Sequence, residues 1–160
     1  MQVAVIPIMD YLKIVGLSMI PIVELKASIP IGVLQMGMPF LTTFLLALLG
    51  TSIPVPFVLV FIKAIIRWAQ KSRVKFFNSV ANWLMGKVDK HKERVVKYGY
   101  WFIFLIDAIP LPGFGVYTGA LLAGVLDLKI GKSLVAILLG NVIAGIIVTF
   151  VSIVIQNIMH

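Results

Sequence analysis

Apolar positions fill most of this chain, and the informative residues are the few that interrupt them. From Ala27 to Ile62 no charged residue occurs. Within that stretch Phe40–Ile62 is long enough, as a helix, to cross a bilayer. Pro54 and Pro56 in its middle predict a kink. Ser133–Ile155 is a second uncharged stretch and predicts a cleaner span. Two further apolar stretches are broken. Ile14–Leu34 (IVGLSMIPIVELKASIPIGVL) holds Glu24 and Lys26 near its centre, between Pro21 and Pro30. Trp101–Leu126 (WFIFLIDAIPLPGFGVYTGALLAGVL) holds Asp107, followed by Pro110, Pro112, Gly113 and Gly115.

A carboxylate inside hydrocarbon costs about 2.5–3.5 kcal/mol on insertion scales. Prolines spaced two apart cannot continue a helix. Broken backbone at membrane depth is tolerated only where protein buries it or where it lines a wet cavity. Both stretches therefore read as re-entrant helical hairpins that run in to a Pro/Gly tip and return to the same face. The competing reading is four kinked spans with both chain ends inside. In the hairpin topology the first unit enters from outside and the second from the cytoplasm.

Each half then has the same order: a broken segment with a carboxylate, followed by a full span. ALLGTSIPVPFVLVF (Ala47–Phe61) aligns with ILLGNVIAGIIVTFV (Ile137–Val151) at an offset of 90 residues. Halves related by inversion bring paired interrupted segments together at the midplane around a substrate. The fold class expected is an all-α integral membrane protein, a single membrane domain over residues 1–160. It divides into a first hairpin and span (1–62), a basic cytoplasmic amphipathic segment (63–97), and a second hairpin and span (98–160).

Composition agrees with this pattern. Of 160 residues, 61% are hydrophobic and 12% charged, whereas a soluble domain carries about 25% charged residues. Water is excluded as the main solvent. There is no cysteine, and the two histidines, His91 and His160, lie far apart in the sequence. No metal site and no cofactor are expected. The N-terminal MQVAVIPIMDYLK lacks a positive n-region, so no cleavable signal is expected.

The net charge of +8 is concentrated. Ten of the fourteen basic residues, with Asp89 and Glu93, fall between Lys63 and Lys97. Short loops this rich in Lys and Arg stay cytoplasmic. Phe77, Val80, Leu84 and Val88 recur at helical spacing while lysines take the other face, a pattern that suits a helix lying on an anionic leaflet. Lys87, Lys90, Lys92, Arg94 and Lys97 are its membrane-surface residues, and membrane lipids rather than nucleic acid are the partner. Tyr98, Tyr100 and Trp101 follow directly, as an interfacial aromatic belt would.

Glu24 and Asp107 are the acids set well inside apolar segments, and Lys26 is the base so placed. If the hairpin tips meet, these side chains share one polar chamber and the carboxylates can relay a proton. A purely structural role is the alternative: Glu24 paired with Lys26, and Asp107 capping the helix that begins near Pro110. Lys26 either holds an anionic headgroup or neutralises Glu24. Thr118 offers a hydroxyl to the chamber. Pro30, Gly32, Pro110, Pro112, Gly113, Gly115 and Gly119 shape its turns and close packing. Asn141, in the last span, is expected to hydrogen-bond between helices. No nucleophile–base constellation or phosphate-binding glycine loop occurs, so enzyme activity is not expected.

The run IPLPGFGVYTGALLAG (Ile109–Gly124), with ELKASIPIG (Glu24–Gly32), resembles the bacterial and archaeal small multi-drug export protein family, a relative of the DedA (SNARE-associated, VTT) membrane proteins. Lys26 stands where that family usually has Arg, and Phe114 and Tyr117 stand where it usually has Thr and Trp. The resemblance implies two hairpins inserted from opposite faces and transport across a prokaryotic plasma membrane, proton-coupled in DedA relatives that recycle polyprenyl phosphates. The function expected is a small transporter of a lipid-linked, lipid-phosphate or small amphipathic substrate, coupled to protons through buried carboxylates. So short a chain has few helices to shield such a site, so a homo-oligomer, most simply a dimer, is expected. The alternative is a non-transporting scaffold whose basic segment recruits anionic lipid or protein partners.

Overall fold

The computed structural model describes residues 7–71, 78, 79, 82, 92–111 and 114–159 (of residues 92–96 and 159, the backbone alone). Among the described residues the structure is helical and contains no strand. Helix α1 (Ile8–Ser18) starts directly after Pro7, with Asp10 in its first turn, where the positive end of the helix dipole favours an acid. After the turn at Met19–Val23, α2 (Glu24–Pro30) follows. Its last residue, Pro30, lacks an N–H and crowds the carbonyl of the preceding turn. The chain answers by widening into π register over Ile31–Gln35, closed by Met36 N–H to the Ile31 carbonyl at 3.1 Å. Pro30 and Gly32, expected at a turn, thus lie within a continuous helical run. The actual turn falls earlier, at Pro21.

Helices α3 (Phe40–Ser52) and α4 (Pro54–Lys71) are joined at Ile53, the break that the SIPVP motif predicts. Together they form a membrane-length element over Phe40–Lys71. It runs past Ile62, where the uncharged stretch ends, because Lys63 does not stop it. Lys63 is 9% exposed and reaches Asp127 at 3.0 Å. Helix α5 (Lys92–Ala108) leads to the second break, and α6 (Val116–Val125) follows it. Helix α7 (Ile130–Met159) is the second membrane-length element, longer at both ends than Ser133–Ile155. The amphipathic pattern on Phe77, Val80, Leu84 and Val88 lies outside the described residues, as do Lys87 and Lys90.

Two apolar cores hold the helices. One joins α1, α2, α3 and the second half of α7 through Ile14, Leu25, Ile29, Val33, Ala47, Ala144 and Val148. The other joins α4, α5, α6 and the first half of α7 through Val55, Leu59, Ile103, Val116, Ala120, Ala123 and Ile137. Helix α7 runs antiparallel to α3: Phe44 meets Gly145, and Asn141 donates to the Thr51 hydroxyl at 2.7 Å, fully buried. Asn141 therefore acts between helices, as expected. The turn after α6 comes back to the middle of α5, where the Lys129 N–H donates to the Tyr100 hydroxyl at 3.1 Å. Lys63, paired with Asp127, reaches the same turn.

The outer surface is apolar. Leu41, Leu45, Phe57, Phe61, Leu139 and Phe150 are all more than half exposed, an arrangement suited to lipid rather than water.

Candidate functional site in the interlocked breaks

The two breaks pack against each other, and each is fastened by a donor from the helix that follows the other. Helix α6 starts at Val116 without a capping side chain of its own, leaving its first N–H groups unsatisfied. Glu24 supplies the acceptor: its carboxylate takes the backbone N–H of Tyr117. The carboxylate occupies the space that a Cβ at Gly115 would fill, so a side chain there would displace it. In return, the Tyr117 hydroxyl donates to the Met19 carbonyl in the first break, and the Lys26 ammonium donates to the Leu111 carbonyl in the second, at 3.2 Å.

Glu24 is 5% exposed, and its Oε2 lies 3.5 Å from Lys26 Nζ. The expected pairing of Glu24 with Lys26 is therefore present. The backbone beside it is strained. Ile22 has φ 83° and Glu24 φ 45°, left-handed values that are uncommon for any residue with a side chain and exceptional for a β-branched one.

Asp107 lies in the last turn of α5, 1% exposed. Neither of its carboxyl oxygens has a hydrogen-bond partner among the described residues. The alternative of a cap on the helix after the break finds no donor to Asp107 among the described residues. Asp107 is itself helical, and a helical side chain leans back toward the N-terminus of its helix, away from the N–H groups that open α6. Its oxygens press instead on Gly119, 2.6 and 2.9 Å from where a Cβ would sit. Its own Cβ lies 2.7 Å from the corresponding point at Gly140 of α7. Gly115 and Gly119 are one turn apart on α6, about 6 Å along the axis, so α6 brings Glu24 and Asp107 to neighbouring levels. Glu24, Lys26 and Asp107 act on one another electrostatically.

Of the other residues singled out, Thr118 is half-buried in α6 and Pro110 half-buried in the second break. Pro112 and Gly113 lie outside the described residues. Gly32 serves close packing: a Cβ there would stand 2.5 Å from Thr43 Cγ2. Lys92 and Arg94 fall in the first turns of α5, and Lys97 is exposed with its ammonium 5.3 Å from the Tyr98 ring. Among the described residues no group of side chains could hold a metal ion.

Sequence reasoning missed Tyr117 as a fastener and the buried Ser18–Ser28 hydroxyl pair, 2.6 Å apart. The 90-residue offset contained a signal for the second, because it aligns Gly50 with Gly140. A Cβ at Gly50 would stand 2.8 Å from Ser18 Cβ, as one at Gly140 would stand 2.7 Å from Asp107 Cβ.

Residues 24–147 match the model of the family described as "Putative small multi-drug export protein". The chain belongs to this family. The match begins at Glu24, directly after the first break, and takes in the second break as well as Asn141. No curated protein and no solved structure matches the chain. The export description of the family and the two membrane-length helices together make this a membrane protein associated with export.

Proposed function

We propose that the protein is a small proton-coupled transporter of a prokaryotic plasma membrane, moving a lipid-linked or small amphipathic substrate through the chamber where the two breaks meet. The observation that carries this reading is Asp107: fully buried, without a hydrogen-bond partner among the described residues, and one helical turn from an ion pair. A charge left there would be both unsolvated and unpaired, at a cost of several kcal/mol. The negative end of α5 adds to that cost. The position suits a carboxyl group that carries its proton in this conformation and releases it when the chamber opens. Intramembrane acids of this kind mark proton and substrate paths.

The two helix–break–helix units are proposed to be re-entrant hairpins inserted from opposite faces, and the halves an inverted repeat. Two juxtapositions support the repeat. Thr51 and Asn141, aligned by the 90-residue offset, bond to each other. Lys26 and Tyr117 each reach the carbonyl of the opposite break. The grouping of Lys63 and Lys129 about the turn after α6 supports a cytoplasmic placement for that turn.

The test is flux in proteoliposomes holding the full chain, with polyprenyl phosphates and cationic amphiphiles as probes. Uptake of one class is expected to rise several-fold when a pH gradient is imposed and to collapse when a protonophore dissipates it. Flux indifferent to the gradient for every probe would contradict proton coupling.

A further inference from the structure

A second feature stands apart from the chamber and from the transport reading. Between α5 and α7 runs a groove of about 670 Å³, lined by Tyr100, Trp101, Phe104, Lys132, Val135 and Leu139, a volume within the ~300–1,000 Å³ typical of ligand clefts. Its walls are almost wholly apolar. Trp101 is 66% exposed and stands edge-on to Phe104, ring centroids 6.0 Å apart. One end of the groove is basic: Lys132 lines it, and Lys129 is held beside Tyr100 by its own backbone N–H. Lys97 lies one turn before Trp101 on α5. None of these three lysines is in an ion pair among the described residues. Asp127, the acid nearest in sequence to Lys129 and Lys132, is taken by Lys63.

Charge selects the occupant. A second copy seated on this face through a two-fold axis would set the same patch against itself, bringing lysines toward lysines with no described acid between them. An apolar channel ending in unpaired lysines, flanked by an interfacial Trp and Tyr, complements a molecule with a hydrocarbon tail and an anionic head. We infer that the α5–α7 groove binds one anionic phospholipid, an acyl chain lying along Trp101, Phe104 and Leu139 and the phosphate held by Lys132 with Lys129.

Trp101 is a built-in reporter. Trp68→Phe and Trp83→Phe leave it as the sole tryptophan of the three in the chain. The full-length protein is reconstituted in phosphatidylcholine vesicles containing equal mole fractions of either dibrominated phosphatidylglycerol or dibrominated phosphatidylcholine, and Trp101 quenching is compared. The anionic lipid is expected to quench more effectively, by about fivefold for each lysine engaged. Lys129→Gln with Lys132→Gln, both exposed and so harmless to the fold, is expected to reduce the preference to parity while quenching by phosphatidylcholine persists. Equal quenching by both lipids in the parent protein overturns the assignment. So does a preference that survives the double lysine change, and so does an absence of quenching by either lipid, the result expected of a groove closed by a second copy.

Discussion

Replacing Asp107 by Asn is expected to reduce pH-gradient-driven flux to the rate of protein-free vesicles while leaving the protein folded. The amide matches the carboxyl group in shape but cannot take up or release a proton. Neither oxygen of Asp107 has a described partner, so the substitution breaks no hydrogen bond seen in the structure and exchanges one neutral group for another. Helical content and thermal unfolding in detergent should stay close to those of the parent. Loss of transport with unchanged unfolding identifies a proton carrier; loss of both would make Asp107 a structural residue. Gradient-driven transport at the parental rate in the variant would remove Asp107 from the mechanism.

The largest stability effect is expected at Glu24. Its carboxylate serves two groups at once, the Lys26 ammonium at 3.5 Å and the Tyr117 N–H. Both side chains of the ion pair are nearly buried, 7% exposed for Glu24 and 11% for Lys26. Glu24→Ala would leave a cation without its counter-charge and the first turn of α6 without an acceptor. Breaking a buried pair from one side costs roughly 3–5 kcal/mol. Glu24→Ala combined with Lys26→Ala removes the orphaned cation and should recover part of the loss, with a coupling energy of about 1–3 kcal/mol. Thermal unfolding of the four proteins of this cycle, under one detergent condition, gives that number directly. A Glu24→Ala protein as stable as the parent would show that the interlock does not hold the breaks together.

Much of this arrangement was legible in the sequence because hydrocarbon is an unforgiving solvent. The two long spans followed from uncharged runs, the joint at Ile53 from Pro54, and the second break from the run after Asp107, whereas the first break falls at Pro21 and not at Pro30 and Gly32. The high cost of solitary charges at depth marked Glu24, Lys26 and Asp107 as residues that would share a chamber if the two breaks met. What could not be read was the partnership of each group. Pro30 has the look of a helix stop, yet a π turn absorbs it, because the missing N–H and the crowded carbonyl need only a wider register. Asp107 has the look of a cap, but that role falls to Glu24, from the other half of the chain and in a strained backbone. Such long-range substitution leaves no local trace. Lys63 reads as the edge of a loop and is instead buried on α4, since Asp127, distant in sequence, neutralises it.

The central claim is that the two broken segments enter from opposite faces and return, and side-specific cysteine labelling tests it most directly. The chain has no native cysteine, so Lys132→Cys and Asn157→Cys each give a single site, near the two ends of α7. A membrane-impermeant maleimide is applied to intact cells and to inverted vesicles. The account predicts that the cysteine at position 132 reacts only from the cytoplasmic side and the one at 157 only from outside. The reverse pattern, 132 from outside and 157 from the cytoplasm, belongs to kinked helices that cross the membrane, and would contradict it.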